Sequence, residues 1–351
     1  MKTILTERFG IEHPIFSAGM ARVAQAELTA AVSNAGGMGC LGGVSYMPEA
    51  LTAEIEKIES LTDKPYAINL LLPASLTTED EEAWRPVREL WGRLSEEERG
   101  KMAGVEALLT KGAVADQVEI VLDAAPAAVT LTFAVPDWFM EECRKRDIAT
   151  IALAGSVGKA REYAEAGVDF IVAQGTEAGG HTGYVTSMTL IPAVVDAVDV
   201  PVIAAGGIAD GRGLASALSL GACGAWVGTR FIATPEAYGH DAFKQRVIDG
   251  RFQDTTITFS YSGKRMRAFS NDWTQQWESS GEDGASGFPA QYGVAGTRVE
   301  TGYQDGDLTE GMMPVGQTLG LVHEMKPAGE VVRNMSAEAD QIISALHERL
   351  R

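Results

Sequence analysis

The sequence predicts an α/β fold, a (β/α)8 TIM barrel carrying a smaller, mainly helical cap domain formed by insertions. Three observations point there. Short apolar runs bounded by Gly or Asp alternate with segments of helical spacing, the pattern of parallel strands joined by helices. Eight such runs can be counted, and most are apolar throughout, as expected of strands covered on both faces. Finally, a helix, Gly, strand, Gly unit recurs in "TAAVSNAGGMGCLGG", "AREYAEAGVDFIVAQG" and "ASALSLGACGAWVGT". A barrel is preferred over an open doubly wound sheet because no strong fingerprint marks a switch point.

The runs fall at residues 14–18, 38–41, 67–72, 128–133, 148–153, 168–173, 200–204 and 222–227. Gly36, Gly167 and Gly221 each stand where a helix must end in the left-handed conformation that other residues resist. Gly37, Gly39 and Gly42 spell G-x-G-x-x-G, but this match follows a helix and is itself the next strand, so it is rejected as a dinucleotide fingerprint. Two stretches interrupt the pattern. Residues 77–100 place Trp84, Val87, Leu90, Trp91 and Leu94 at helical spacing on an acidic background, an amphipathic helix packed over something. There Glu96, Glu97 and Glu98 read as a solvated face. Residues 234–311, rich in Ser, Thr, Gly and aromatics, carry no clear alternation and read as a lid or cap. The tail returns to helical spacing, with Ser336 as a helix start. The expected division is therefore a barrel from 1–75, 123–235 and 312–351, with a cap from 76–122 and 236–311.

Composition narrows the function. The 351 residues carry 29 Lys and Arg against 48 Asp and Glu, a formal charge of −19, which argues against nucleic acid and anionic membrane surfaces. No run approaches a membrane span, and Lys2, Glu7 and Arg8 stand where a signal peptide would be apolar, so a cytoplasmic protein is expected. Cys40, Cys143 and Cys223 are widely spaced and odd in number and read as reduced, structural residues. His13, His240, His323 and His347 lack ligand spacing, so no metal site is expected.

In barrel enzymes the active site lies at the carboxyl ends of the strands, with phosphate commonly bound after the last two. After the seventh run, "AAGGIADGRG" offers Gly206 and Gly207 for backbone approach and Asp210 as a helix cap. After the eighth, "VGTRF" offers Gly228, Thr229 and Arg230. The plain alternative is two glycine turns and a surface Arg, yet their occurrence on consecutive strands favours a phosphate site. After the sixth run, "AQGTEAGGHTG" sets three Gly around His181, whose ordinary pKa of about 6.5 lets it exchange a proton near neutrality. Glu177 either orients His181 or anchors the loop. Asn69 brings an amide near the barrel mouth or caps a turn, Gln174 offers another, and Ala18 and Gly19 are small enough to admit a planar ring. Tyr261, Trp273 and Trp277 suggest a small, partly apolar substrate or else form the cap's own core.

Together "PIFSAGM", "INLLLP", "AQGTEAGGHTG", "AAGGIADGRG", "WVGTRF", "TFSYSGKRMRAFSN" and "GQTLGLVHEM" resemble the nitronate monooxygenase family, formerly called 2-nitropropane dioxygenases, over nearly the whole chain. Flavin-dependent enoyl-acyl carrier protein reductases share a close variant of the E-A-G-G-H element. The resemblance implies an FMN cofactor, with Ala18, Gly19 and Met20 along the isoalloxazine, Asn69 and Gln174 bonded to it, and Gly179 and Gly180 close by. It puts Gly206, Gly207, Val227, Gly228 and Thr229 around the phosphate and His181 over the flavin as catalytic base. Trp226 departs from the amide side chain expected before the Val-Gly-Thr turn. The implied reaction is oxidation of alkyl nitronates, or nitroalkanes, by O2 to a carbonyl compound and nitrite; a homo-oligomer stays open. Competing expectations are an NAD(P)H-dependent FMN reductase acting on a quinone or enoyl thioester, a non-redox barrel binding a phosphorylated metabolite, and a flavin scaffold without turnover.

Overall fold

The computed structural model describes residues 1–72, 81–110 and 112–349. The expected start of the cap at residue 76, the opening of the amphipathic segment and the side chain of Trp84 lie outside the described residues.

Among the described residues eleven strands follow in chain order: β1 (Ile15–Ser17), β2 (Gly39–Leu41), β3 (Tyr66–Leu72), β4 (Ala128–Phe133), β5 (Ala149–Ala154), β6 (Phe170–Gln174), β7 (Gly180–His181), β8 (Val202–Ala205), β9 (Gly224–Val227), β10 (Thr255–Thr258) and β11 (Met266–Phe269). Eight of them form one parallel sheet in the order β1-β9-β8-β6-β5-β4-β3-β2, and a parallel bridge from Phe16 to Met38 brings β1 back to β2. The sheet is thus a nearly closed barrel with helices between its strands, and each expected apolar run overlaps one of its strands.

Why the runs are apolar on both faces is visible in their alternation. Ala149 and Ile151 of β5, Phe170 and Val172 of β6, and Ile203 and Ala205 of β8 pack inside the barrel. Their neighbours Ala152, Ala154, Ile171, Ala173, Val202 and Ala204 pack outward against the helices. The N-terminal helix Ile4–Phe9 closes the floor: the Phe9 ring lies 5.5 Å from both Phe16 and Phe170. With the amino ends plugged, the carboxyl ends are left as the place for a cavity. Gly36, Gly167 and Gly221 adopt φ of 85°, 81° and 91°, as their positions after helices require.

Several details differ from the expectation. The amphipathic segment breaks into helices Glu81–Trp91 and Glu96–Lys101, because Ser95 and Glu98 form a capping box that starts a new helix. The tail helix runs Ala328–Arg349, so Ser336 lies within it. That serine is buried where the helix Gly211–Ser219 approaches closely, Gly211 N–H donating to Glu338 at 2.7 Å, and a small residue fits there. The 234–311 stretch contains the antiparallel hairpin of β10 and β11, which pairs with β7 into a second, three-stranded sheet. Tyr261 and Trp273 are buried in a separate apolar cluster of the cap with Val87, Val105 and Val299, and Trp277 packs against it, so they form the cap's own core. Among the described residues no helix is long and apolar enough to cross a membrane.

The tightest backbone approach is at β2. A Cβ added to Gly39 would overlap the Thr29 carbonyl, whereas one added to Gly158, in helix Val157–Glu165, meets nothing within 4 Å. Gly39→Ala is expected to cost about 2–3 kcal/mol in urea unfolding, while Gly158→Ala stabilises by up to about 1 kcal/mol.

Candidate active site

A cavity of about 790 Å³ opens at the carboxyl ends of the strands. The loop after β1 contributes Ala18, Gly19 and Met20, β3 contributes Asn69, and β6 with its loop contributes Gln174, Gly179, Gly180 and His181. The turns after β8 and β9 add Gly206, Gly207, Gly228 and Thr229. Of the residues the resemblance assigned to the cofactor or to catalysis, Val227 is the one missing from the wall. It packs outward, and its carbonyl accepts the Ala18 N–H at 2.8 Å, so it fixes the β1 turn instead.

The two glycine turns follow the paired strands β8 and β9, and both line this cavity. Gly206 and Gly207 take φ of 88° and 77°, and Asp210 caps the next helix through the N–H groups of Arg212 and Gly213, at 2.9 and 3.4 Å. Thr229 Oγ1 accepts the Gly316 N–H at 2.8 Å, which leaves its hydroxyl hydrogen to donate elsewhere. Arg230 is not a phosphate donor as the sequence suggested. It is buried away from the cavity and donates to the Glu324 carbonyl at 3.2 Å. Burial lowers its pKa.

The glycines of the β1 and β6 loops differ in what surrounds them. A Cβ on Gly19 would lie 2.5 Å from Asn69 Cβ and 2.9 Å from Cys40 Sγ, so its lack of a side chain lets the turn pack on the barrel. Gly179 is similarly filled, by the backbone of Val315 and Gly316, while Gly180, at φ 74°, has open space beside it. Asn69 Nδ2 donates to Thr130 at both its hydroxyl, 2.9 Å, and its carbonyl, 3.2 Å, so the amide oxygen is the group left to meet a ligand. Gln174 Nε2 donates to the His181 carbonyl at 2.8 Å and so ties the loop to β6. Cys40 and Cys143 are buried and Cys223 half-buried, all free, with thiols pushed up to about 12 by burial.

His181 is held from two sides. Its backbone pairs with Met266 of β11, and its Nε2 lies 2.8 Å from Ser262 Oγ, which also accepts the Lys264 N–H at 3.3 Å. Glu177 does not orient it: its carboxylate accepts the Ser187 N–H at 3.0 Å and the Ser187 hydroxyl at 2.8 Å, capping helix Ser187–Val195 and anchoring the loop. Contrary to the sequence expectation of an ordinary imidazole, burial and the nearby Lys264 push the His181 pKa down to about 4. The ring is neutral throughout the physiological range.

Ser262, Lys264 and Arg265 reach the cavity from the cap hairpin and were not singled out from the sequence, although their segment was. Arg22 and Glu300 are paired in the wall at 2.9 Å. Among the described wall residues the cations are Arg22, Lys159, Lys264 and Arg265, and Glu300 is the only acid. A chain of charge −19 thus has more cations than acids in the wall of this cavity, with Arg22 paired to Glu300, Lys159 paired to Glu162, and Lys264 and Arg265 on the hairpin side. That wall, two glycine turns whose backbone lines the cavity, and the Asn69 and Gln174 amides fit a phosphorylated flavin such as FMN.

The His181 shift has a consequence for stability. Its folded pKa lies below the ordinary 6.5, so the unfolded chain binds the extra proton first, and the folded state loses stability as pH falls from about 6.5 towards 4. Urea midpoints measured across that window should fall less steeply for His181→Gln than for the native chain.

Known proteins resemble this chain over nearly its whole length. The sequence pattern described as nitronate monooxygenase matches residues 2–338. A protein of Staphylococcus saprophyticus named "Probable nitronate monooxygenase" is 31% identical, the match covering 98% of this chain and 99% of that one. Among solved structures, FabK from Thermotoga maritima superposes with a TM-score of 0.82 at 29% identity, over 99% of each chain. Nitroalkane oxidase from Streptomyces ansochromogenes does so at 0.81 and 28%, over 97% of this chain and 99% of that one. By the extent of that match, on a barrel whose cavity carries the expected histidine loop, the chain belongs to the nitronate monooxygenase family and is an oxidoreductase.

Proposed function

We propose that this protein, with FMN in the cavity, oxidises alkyl nitronates with O2 to a carbonyl compound and nitrite. The observation that carries the reading is the cationic cavity wall around a neutral imidazole, on a protein that is otherwise strongly acidic. Such a wall raises the local concentration of an anion and suits both an anionic cofactor and an anionic substrate.

In this reading Gly206, Gly207, Gly228 and Thr229 hold the phosphate. Ala18, Gly19 and Met20 would lie along the ring, and Asn69 and Gln174 would hydrogen-bond it. Bound flavin supplies the electron acceptor between the substrate carbanion and oxygen. The chain itself binds and orients: Lys264 draws the planar nitronate to the hairpin side, and His181, fixed by Ser262 and the Gln174 tie, meets the nitronate as a neutral hydrogen-bond partner. Each nitronate gains one oxygen atom at carbon and releases nitrite as the C–N bond breaks. With a neutral nitroalkane, His181 is the catalytic base and takes the proton from the carbon beside the nitro group. That transfer creates an imidazolium where burial and Lys264 both oppose it, so nitronates are the better substrates.

Oxygen uptake and nitrite release should therefore be at least about 100-fold more efficient, in kcat/KM, with ethyl or propyl nitronate than with the parent nitroalkane. His181→Asn should keep the yellow cofactor, lower nitroalkane turnover by about 10²–10⁴, and lower nitronate turnover less than tenfold. The second reading, an NAD(P)H-dependent FMN reductase of a quinone or enoyl thioester, predicts instead that NADH and not nitronate bleaches the flavin under anaerobic conditions.

A further inference from the structure

Just past Met20 the backbone takes a costly shape. Arg22 adopts φ of 67°. The other non-glycine residues with positive φ among those described, Ala125 and Asp147, follow the ends of helices Ala113–Ala124 and Asp137–Lys145, where a left-handed residue is ordinary. Arg22 follows no helix. It sits in a tight turn closed by the Val23 and Ala24 N–H groups, which donate to the Met20 carbonyl at 3.1 and 2.9 Å. A left-handed conformation at a residue with a side chain persists only where its surroundings impose it.

The Arg22 side chain is held by the cap. Its Nε and Nη2 donate to the two carboxylate oxygens of Glu300, on helix Arg298–Gln304, at 2.9 and 3.2 Å. Gln304 Nε2 donates to the same carboxylate at 3.3 Å. The two side chains of the pair are only 14% and 8% exposed, yet both residues border the cavity. A buried pair of this kind adds little stability over apolar side chains of like size, so stability alone does not account for it. What its forked geometry does supply is a fixed direction.

We propose that Arg22 and Glu300 are positioning residues: through this pair the cap holds the β1 turn in the shape that receives the flavin ring. The proposal rests on the reading that Ala18, Gly19 and Met20 lie along that ring.

Flavin binding to the apoprotein, followed by fluorescence quenching and by visible circular dichroism, tests it without turnover. In the double variant Arg22→Met with Glu300→Met both charges go together and apolar side chains fill the space, so the urea midpoint of the apoprotein should stay near native. Its Kd for FMN should nonetheless rise about tenfold or more, with altered visible circular dichroism, because the turn is no longer preorganised. The Kd for riboflavin, which has the ring without the phosphate, should rise by the same factor. Arg22→Lys, which keeps the charge and loses the fork, should show a smaller change of the same kind. Native affinity with a native spectrum in the double variant, a loss seen with FMN and not with riboflavin, or a loss that only accompanies a fallen urea midpoint overturns the proposal. Should the double variant not fold, Arg22→Lys decides, and a native spectrum there overturns it. Altered flavin binding in the variants of a protein that oxidises no nitronate keeps the positioning role and removes the nitronate reading. Nitronate turnover by the native protein beside an unchanged double variant does the reverse.

Discussion

The chemistry of this cavity depends on a two-residue strand. Gly180 and His181 leave the barrel after β6 and pair with Arg267 and Met266 of a hairpin that belongs to the cap. Neither part alone could place the imidazole. The barrel supplies the Gln174 tie and the Glu177 anchor, the cap supplies Ser262 at Nε2, and Arg267 Nε donates to the Thr176 carbonyl at 3.0 Å to lock the two together. A loop with this many glycines would otherwise sample many conformations, and backbone pairing from outside the barrel removes that freedom.

Burial then decides what the imidazole can be. The same packing that fixes the ring shields it partly from water beside Lys264, and both effects disfavour a second positive charge. A general base with so low a pKa is weak, but a neutral donor or acceptor facing an anion needs no proton uptake. The cationic wall works in the same direction. On a protein of charge −19 such a wall is not a by-product of composition, and it makes an anionic ligand the economical explanation of the site.

Much of this was legible in the sequence, for physical reasons that can be named. Strands covered on both faces are apolar throughout, and helix ends that need a left-handed residue show glycine, so the eight barrel strands and the Gly36, Gly167 and Gly221 turns stood out. The His181 loop and the turns at Gly206 and Gly228 stood out because glycine is clustered at strand ends, and they do line one cavity. What was not legible depends on distant partners. The hairpin strands are only four residues long, TTIT and MRAF, so periodicity has too little to register. Arg230 turns to a tail carbonyl, Val227 faces outward, and the Gly19 hydrogen faces Asn69, none of which a local pattern encodes. Likewise the low pKa of His181 comes first from burial and then from Lys264, far away in the chain.

The most direct test of the account is a crystal structure of the flavin-loaded protein with a bound short carboxylate. The phosphate should lie against Gly206, Gly207, Gly228 and Thr229, with the ring beside Ala18 to Met20 and the carboxylate within hydrogen-bond reach of the His181 imidazole. A phosphate bound elsewhere, or an anion on the far side of the ring from His181, would contradict it.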